Sequence, residues 1–475
     1  MTKQPTLRAT PLALALALAL GLSGCVSLAP KYQRPASPVA LAFDDALANP
    51  ATPANPATSE AAAQLEWQRF FADARLRQLI DLALANNRDL RVAILNIEQA
   101  RAQYQIRRAD ILPTVNAAVT GSRVPGSNDS ITSTYTAGFG VSAFELDLFG
   151  RVRNLSEAAL GQFLATEEAR KSTQIGLIGS VANTYLALLA DDELLVLIRQ
   201  TLAAREESLK LIQLKFDNGV VSKVDLSQGQ SLVDTARVAL AQQQRQRAQD
   251  INALVLLVGQ PLPASLAPAN TLAQTELSAL PAGLPSDLLA VRPDIRAAEQ
   301  QLIGANASIG AARANFFPRI ALTGSAGSAS SELSGLFKGG SFGWTFAPSV
   351  VLPIFDVGRN SANLGSARAG RDIAVAQYER SIQVAFREVS DALAGQSTFA
   401  EQLRAQRAVA QAEAERFNLS DLRYRSGAAS YLDLLDAQRS LFTAQQQAVQ
   451  ANLQRLQNQV TLYRVLGGGW STAKR

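Results

Sequence analysis

Two kinds of hydrophobic periodicity take turns along the chain, and each of them occurs twice. Over residues 114–120 apolar and polar positions alternate, with Val115, Ala117 and Val119 on one side. Over 134–143 the alternation returns, setting Tyr135, Ala137, Phe139, Val141 and Ala143 against Thr134, Thr136, Gly138, Gly140 and Ser142. The turn composition Pro125-Gly126-Ser127-Asn128-Asp129-Ser130 lies between them. A period of two with such a break predicts a β-hairpin. Its strands, about ten residues long, have the length that crosses a bilayer when tilted. Ahead of it, helical spacing predicts a short helix over 74–85. Asn86-Asn87-Arg88-Asp89 breaks that helix, and a second runs to about Asp110 with Leu90, Ile94, Ile97 and Tyr104 near one face. Behind the hairpin, Asp147-Leu148-Phe149-Gly150-Arg151 starts a helical pattern that reaches Asn218-Gly219 without a proline. Roughly 68 residues at about 1.5 Å each give a helix of roughly 100 Å, far more than a globular domain needs. A returning helix covers about 221–258.

The same plan then repeats. Arg292-Pro293-Asp294-Ile295-Arg296 answers Arg88-Asp89-Leu90-Arg91, and Pro318 answers Pro113 at an offset of 318 − 113 = 205. Residues 320–326 and 342–352 predict a second hairpin, with Phe342, Trp344, Phe346, Val350 and Leu352 on one side. Gly358 answers Gly150, and Gly427 answers Gly219, each at an offset of 208 (358 − 150; 427 − 219). At these last two glycines the chain reads as helix, tight turn, returning helix. The turns are embedded in similar stretches, LKFDNGVVSKVDLSQGQSLV over 214–233 and LRYRSGAASYLDLLDAQRSL over 422–441. Asp433 answers Asp225, and Asp433 and Asp436, three apart, share a face of the second returning helix. The chain is therefore a tandem duplication. Residues 67–259 form the first repeat and 291–466 the second, joined by a proline-rich linker over 260–290 and followed by a tail over 467–475.

Composition removes several classes of chemistry. The 475 residues contain no His, one Cys and one Met, so acid/base work by His, Cys/His metal sites and internal disulfides are excluded. The net charge of +5 is dispersed, without the basic, aromatic-interleaved face that nucleic acid requires. The serine-lysine spacing Ser471-Thr472-Ala473-Lys474 stands in the tail without the context of a nucleophile. The N-terminus is informative. Lys3 and Arg8 precede an apolar run over 11–22, too short to span a bilayer, which ends in Leu22-Ser23-Gly24-Cys25. The segment 1–24 reads as a leader peptide and 25–66, rich in Pro, Ala, Asn and Thr beyond residue 30, as an extended arm.

Four strands of membrane length cannot close on themselves, and unpaired edges in lipid cost several kcal/mol each. The smallest outer-membrane barrels have about eight strands. As membrane strands they must share a barrel with copies of the chain, two giving eight strands and three giving twelve; the alternative is a soluble β-layer with helices around it. The long helices likewise need lateral neighbours, as a hollow cylinder or as a solid coiled-coil bundle.

Leu22–Cys25 resembles the bacterial lipobox. Together with Arg292-Pro293-Asp294, the Pro113 and Pro318 strand starts, the stretch 424–439 and the terminal Leu466–Trp470, it makes the chain similar to the TolC-type outer-membrane efflux channels, in their lipoprotein branch. The resemblance implies a mixed α and β membrane protein: a homotrimer with a twelve-stranded β-barrel continued by a twelve-helix periplasmic α-barrel and an equatorial belt. It implies cleavage before Cys25, lipid on its thiol and amino group, and, with Val26 in place of a retaining Asp, an outer-membrane destination. It implies passive export of drugs, other small molecules or proteins, driven by an inner-membrane pump of the RND type through a periplasmic adaptor, with no catalysis, metal or other cofactor. At the tip it implies that Asp433 and Asp436 ring the closed aperture, that Tyr424 and Asp225 form a link holding it shut, and that Gly219, Val220, Gly427 and Ala428 take the adaptor. A latch arginine found in the best known member is replaced here by Ala429. Read from the residues alone, Asp436 is sooner an exposed partner of Arg439 three positions on than a gate residue. Six carboxylates gathered in a trimer would raise some of each other's pKa values. A protein-secretion channel and a tethering lipoprotein without a pore are the rival functions.

Overall fold

The computed structural model describes residues 27–40, 65–125, 131–278, 280 and 291–470. The leader, Cys25 and the Ser471–Lys474 spacing lie outside them. In chain order the elements are α1 (Trp67–Phe70), α2 (Ala74–Asn86), α3 (Arg88–Ala109), β1 (Val115–Pro125), β2 (Ile131–Glu145), α4 (Arg151–Asp217) and α5 (Lys223–Val258), then α6 (Pro293–Ala314), β3 (Arg319–Ser330), β4 (Phe342–Val351), α7 (Arg359–Arg425) and α8 (Tyr431–Val465). Short 3₁₀ turns stand at Leu272–Gln274 and Leu333–Gly335. Among the described residues no helix is long and apolar enough to cross a membrane.

The duplication is visible in the backbone. α4 and α7 have 67 residues each, and α3 and α6 have 22 each. Left-handed glycines recur at the offset of 208: Gly150 and Gly358, Gly219 and Gly427, Gly259 and Gly467 (467 − 259). The repeats are not the compact units, however. One unit takes residues 1–36, 96–167 and 297–380, and the other takes 37–95, 168–296 and 381–475, so each draws on both repeats.

The first unit holds a four-stranded antiparallel sheet in the order β1-β2-β3-β4, with β1 and β4 as its edges. The register puts Val119 beside Ala137, Phe139 beside Ala326 and Trp344 beside Ala326, so the large apolar side chains share one face. Trp344 and Phe342 are 73% and 71% exposed there, an area of bare aromatic surface that water does not favour. The other face carries hydroxyls, with Thr120 against Thr136 at 2.6 Å and Ser325 against Thr345 at 2.7 Å. The strands outrun the alternation that announced them, because small and polar residues extend the ladder past the last clear apolar position. One expectation fails. Ala143 does not continue the apolar row: a bulge shifts the register between Val141 and Phe144, and Ala143 takes φ 53°. In the same unit the arm lies along α6, with Arg34 bidentate on Glu299 at 2.7 Å, the Tyr32 hydroxyl donating to the same carboxylate, and Asn306 and Arg313 donating to the carbonyls of Pro30 and Leu28.

The second unit is helical. Trp67, Phe70 and Phe71 are fully buried among Leu76, Leu79, Tyr185, Leu456 and Tyr463. Phe70 stacks on Tyr463 at 4.1 Å, and the Tyr463 hydroxyl donates to the Leu65 carbonyl. Leu262, Leu266 and Leu277 of the linker pack against this cluster. Arg292, 7% exposed, grips Asp294 with two nitrogens, Glu388 of α7 at 2.9 Å and the Val465 carbonyl closing α8 at 3.0 Å. The Arg-Pro-Asp sequence thus opens α6, with Pro293 at its first position, and ties three helices together.

Candidate functional site: the helical tip

Both hairpin turns are built from the same local rules. At the end of α4 the Gly219 N–H donates to the Phe216 carbonyl and the Val220 N–H to the Lys215 carbonyl. At the end of α7 the Gly427 N–H donates to Tyr424 and the Ala428 N–H to Arg423. This paired pattern requires a left-handed residue at the turn, and glycine supplies it at φ 71° and 76° without a Cβ penalty. Three residues after each glycine the backbone re-enters a helix through a capping box. Ser222 accepts from the Asp225 N–H, and Asp225 accepts from the Ser222 N–H and hydroxyl; Ser430 and Asp433 do the same. The backbone at Gly219, Val220, Gly427 and Ala428 is left exposed, Val220 by 70%.

Behind the turns Ile212, Leu226, Leu232, Tyr431, Leu434 and Leu435 form a core shared by both hairpins of the chain. Packing is close enough that a Cβ on Gly229 would meet the Tyr431 hydroxyl at 3.3 Å. Burial, then the neighbouring Tyr424 and Asp225, holds the Tyr431 phenol above its ordinary value. The Tyr424 ring lies 5.6 Å from that of Tyr431. Its hydroxyl accepts from Lys215 Nζ at 3.2 Å, and the same ammonium stands 4.4 Å from the ring centre. In this chain Tyr424 therefore reaches across to α4 through Lys215, while Asp225 is occupied by its own cap.

The two aspartates have different surroundings. Asp433 is exposed, and the hydrogen bonds from the Ser430 hydroxyl and backbone hold its carboxyl below the usual range. The sign within one chain is thus opposite to that of mutual repulsion. A depressed carboxyl contributes its cap above the ordinary Asp range and loses it as pH falls through the lowered value. Asp436 does not pair with Arg439. It pairs with Arg416 of α7 at 3.2 Å, and Arg416 also holds Glu413 at 2.8 Å. Arg416 reaches across the hairpin, a contact that spacing along α8 cannot display. Both partners are largely exposed, so the pair contributes about 0.2–1 kcal/mol.

Sequence reasoning thus located both turns and missed Lys215 and Arg416. The Ser-x-x-Asp spacing at Ser222–Asp225 and Ser430–Asp433 was an available signal for the caps. Among the described residues no group of three or more acidic, Cys or His side chains could hold a metal ion.

A chain of two repeats, with membrane-length strands and long helical hairpins, matches the family described as "Outer membrane efflux protein" over residues 79–260 and 284–468. The chain belongs to that family. The toluene efflux pump outer membrane protein TtgC of Pseudomonas putida is 49% identical over 464 residues, 96% of this chain and 95% of its own length. The outer membrane protein OprJ of Pseudomonas aeruginosa is 45% identical over 468 residues, 97% and 96% of the two chains. The open-state crystal structure of the MtrE outer membrane channel of Neisseria gonorrhoeae is 40% identical and fits with a TM-score of 0.86, over 94% of this chain and 99% of that one. The family resemblance carried by the lipobox, the Arg-Pro-Asp sequence and the tip stretch is thereby established. The protein is an outer-membrane efflux channel, and its work is passage of solutes rather than catalysis.

Proposed function

We propose that the protein is the exit duct of a tripartite efflux system, conducting drugs or other small molecules passively from an RND-type pump and a periplasmic adaptor to the exterior. The observation that carries the shared pore is the open sheet: β1 and β4 each have a strand on one side only. Free edges in lipid leave several kcal/mol of unpaired backbone per group, so copies must supply the missing partners. Three copies bring twelve strands, and the long helices α4, α5, α7 and α8 bring twelve helices. The relative TtgC is named for a toluene efflux pump, which supports a small-molecule cargo over protein secretion here.

In this reading Asp433 and Asp436 of three chains line the aperture. Tyr424 and Asp225 hold the closed tip, with Lys215 as the donor to Tyr424. The exposed turns at Gly219, Val220, Gly427 and Ala428 receive the adaptor. An adaptor opens the tip by binding the splayed turns more tightly than the closed ones, since only differential affinity moves such an equilibrium. Native mass spectrometry of the detergent-extracted protein is expected to give three copies, and planar bilayers are expected to show single-channel conductance. A folded monomer in lipid, or a trimer that passes no current, would count against the duct and in favour of a tethering lipoprotein.

Lipidation of Cys25 belongs to the same reading. Its support is the lipobox around the protein's single cysteine, with Ser27 and Leu28 two and three residues on docking on Asn154 and Arg313. Several acyl chains at about 0.8 kcal/mol per buried methylene give stable anchoring. Mass spectrometry of the mature N-terminus is expected to find acylated Cys25, whereas an unmodified chain beginning elsewhere would exclude it. Cys25→Ser is expected to impair maturation and anchoring while the pore formed by extracted protein keeps its conductance.

A further inference from the structure

Arg205, on α4 in the helical unit, is a buried cation that no charged side chain among the described residues neutralises. It is 5% exposed. Its Nη1 donates to the Leu232 carbonyl on α5 at 3.0 Å, and its guanidinium lies 5.3 Å from the centre of the Phe442 ring on α8. Its Nε–H is buried and reaches no partner, and among the described residues no carboxylate pairs with it. The charged side chain acting on it is another cation, Arg439. Burial first, and Arg439 second, draw the guanidinium below its ordinary value. A guanidinium still does not discharge near neutral pH, and an uncompensated buried charge costs several kcal/mol.

The space beside it is built to receive something. A cavity of about 180 Å³ is lined by Arg205, Gln438, Thr201, Gln445, Phe417 and Phe442. No acidic side chain contributes to its wall. The buried Oε1 of Gln438 also lacks a partner, and an amide turned over presents its NH₂ to the same space. Arg205 is the only charged side chain in the cavity's lining, so the net charge there suits an anion, and the volume exceeds that of a single water.

We propose that this cavity binds one small monovalent anion, a halide or a one- or two-carbon carboxylate, between α4 and α8, held by Arg205 Nε and the turned amide of Gln438. Because Arg205 also reaches α5, the bound anion ties the two hairpins of one chain together behind the tip.

Crystals of the full-length protein in detergent, grown with bromide as the halide, test the site directly by anomalous scattering. One bromide peak per chain is expected within hydrogen-bonding reach of Arg205 Nε. Arg205→Gln is expected to abolish it, and Gln438→Leu, which keeps the charge, to lower its occupancy. Excess acetate separates the two sources: a peak that acetate removes marks a site open to carboxylates, and one that it leaves marks a halide site. The proposal is overturned if the wild-type cavity scatters as water alone, or if the peak survives Arg205→Gln undiminished. Should Arg205→Gln fail to fold, an occupancy unchanged by Gln438→Leu overturns it in the same way.

Discussion

If Asp433 and Asp436 ring the aperture as proposed, the wild-type channel is expected to prefer cations and to be blocked by divalent ions. Exchanging both for amides, Asp433→Asn with Asp436→Asn, is expected to remove most of both properties. Rings of like charge raise the local counter-ion concentration by about tenfold or more, so the cation-to-anion permeability ratio is expected to fall about tenfold. Asparagine is the informative replacement. Asp433 accepts from Ser430 at the start of α8, and an amide oxygen still caps a helix, whereas alanine would remove the cap along with the charge. Asp436→Asn releases only an exposed pair with Arg416, so the helices should keep their packing. Tyr424→Phe with Asp225→Asn acts on a different property. It removes the hydroxyl that accepts from Lys215 and the charge beside Tyr431 while keeping both shapes. That pair is expected to raise the open level and admit large antibiotics inward, with selectivity kept. Conductance in planar bilayers reads both. Should each double variant match the wild type in selectivity, block and open level, these residues are solvated helix surface and the constriction lies elsewhere.

Gly138→Ala is expected to prevent most of the protein from reaching its assembled, membrane-embedded form, whereas Gly140→Ala, two residues along the same strand and on the same face, is expected to be tolerated. Gly138 pairs with Gly327 across β2 and β3. A Cβ on Gly138 would lie 2.5 Å from the Ala326 carbonyl oxygen and 2.6 Å from the Gly327 Cα, and one on Gly327 would strike the Ala137 carbonyl oxygen. These contacts are with backbone, which cannot swing aside as a side chain does. The two strands approach so closely here that only facing glycines fit, and the methyl group has to open the ladder. The cost should exceed the about 1–3 kcal/mol of an overpacked core. Around Gly140 the nearest atoms are 3.6 and 3.8 Å away, ordinary contact, so its replacement should stay within about 0.5 kcal/mol of wild type. The yield of assembled protein on seminative gels separates the two. Equal yields would mean that this close approach does not govern assembly.

What the amino-acid order by itself determined was everything governed by near neighbours. The glycines at 219 and 427, the period-two runs and the long prolineless helices all follow from steric limits and turn chemistry acting over a few residues. The duplication was legible for the same reason, since equal offsets copy equal local rules. Tertiary structure decided what depends on partners far apart in the chain. It moved Asp436 from Arg439 to Arg416, gave the Tyr424 hydroxyl to Lys215, and isolated Arg205 from any carboxylate. It placed a bulge at Ala143, where alternation alone continued the strand, and set Gly138 against Gly327, 327 − 138 = 189 residues away. Those outcomes rest on register, burial and backbone approach between elements, and no periodicity within one element encodes which groups another will bring to it.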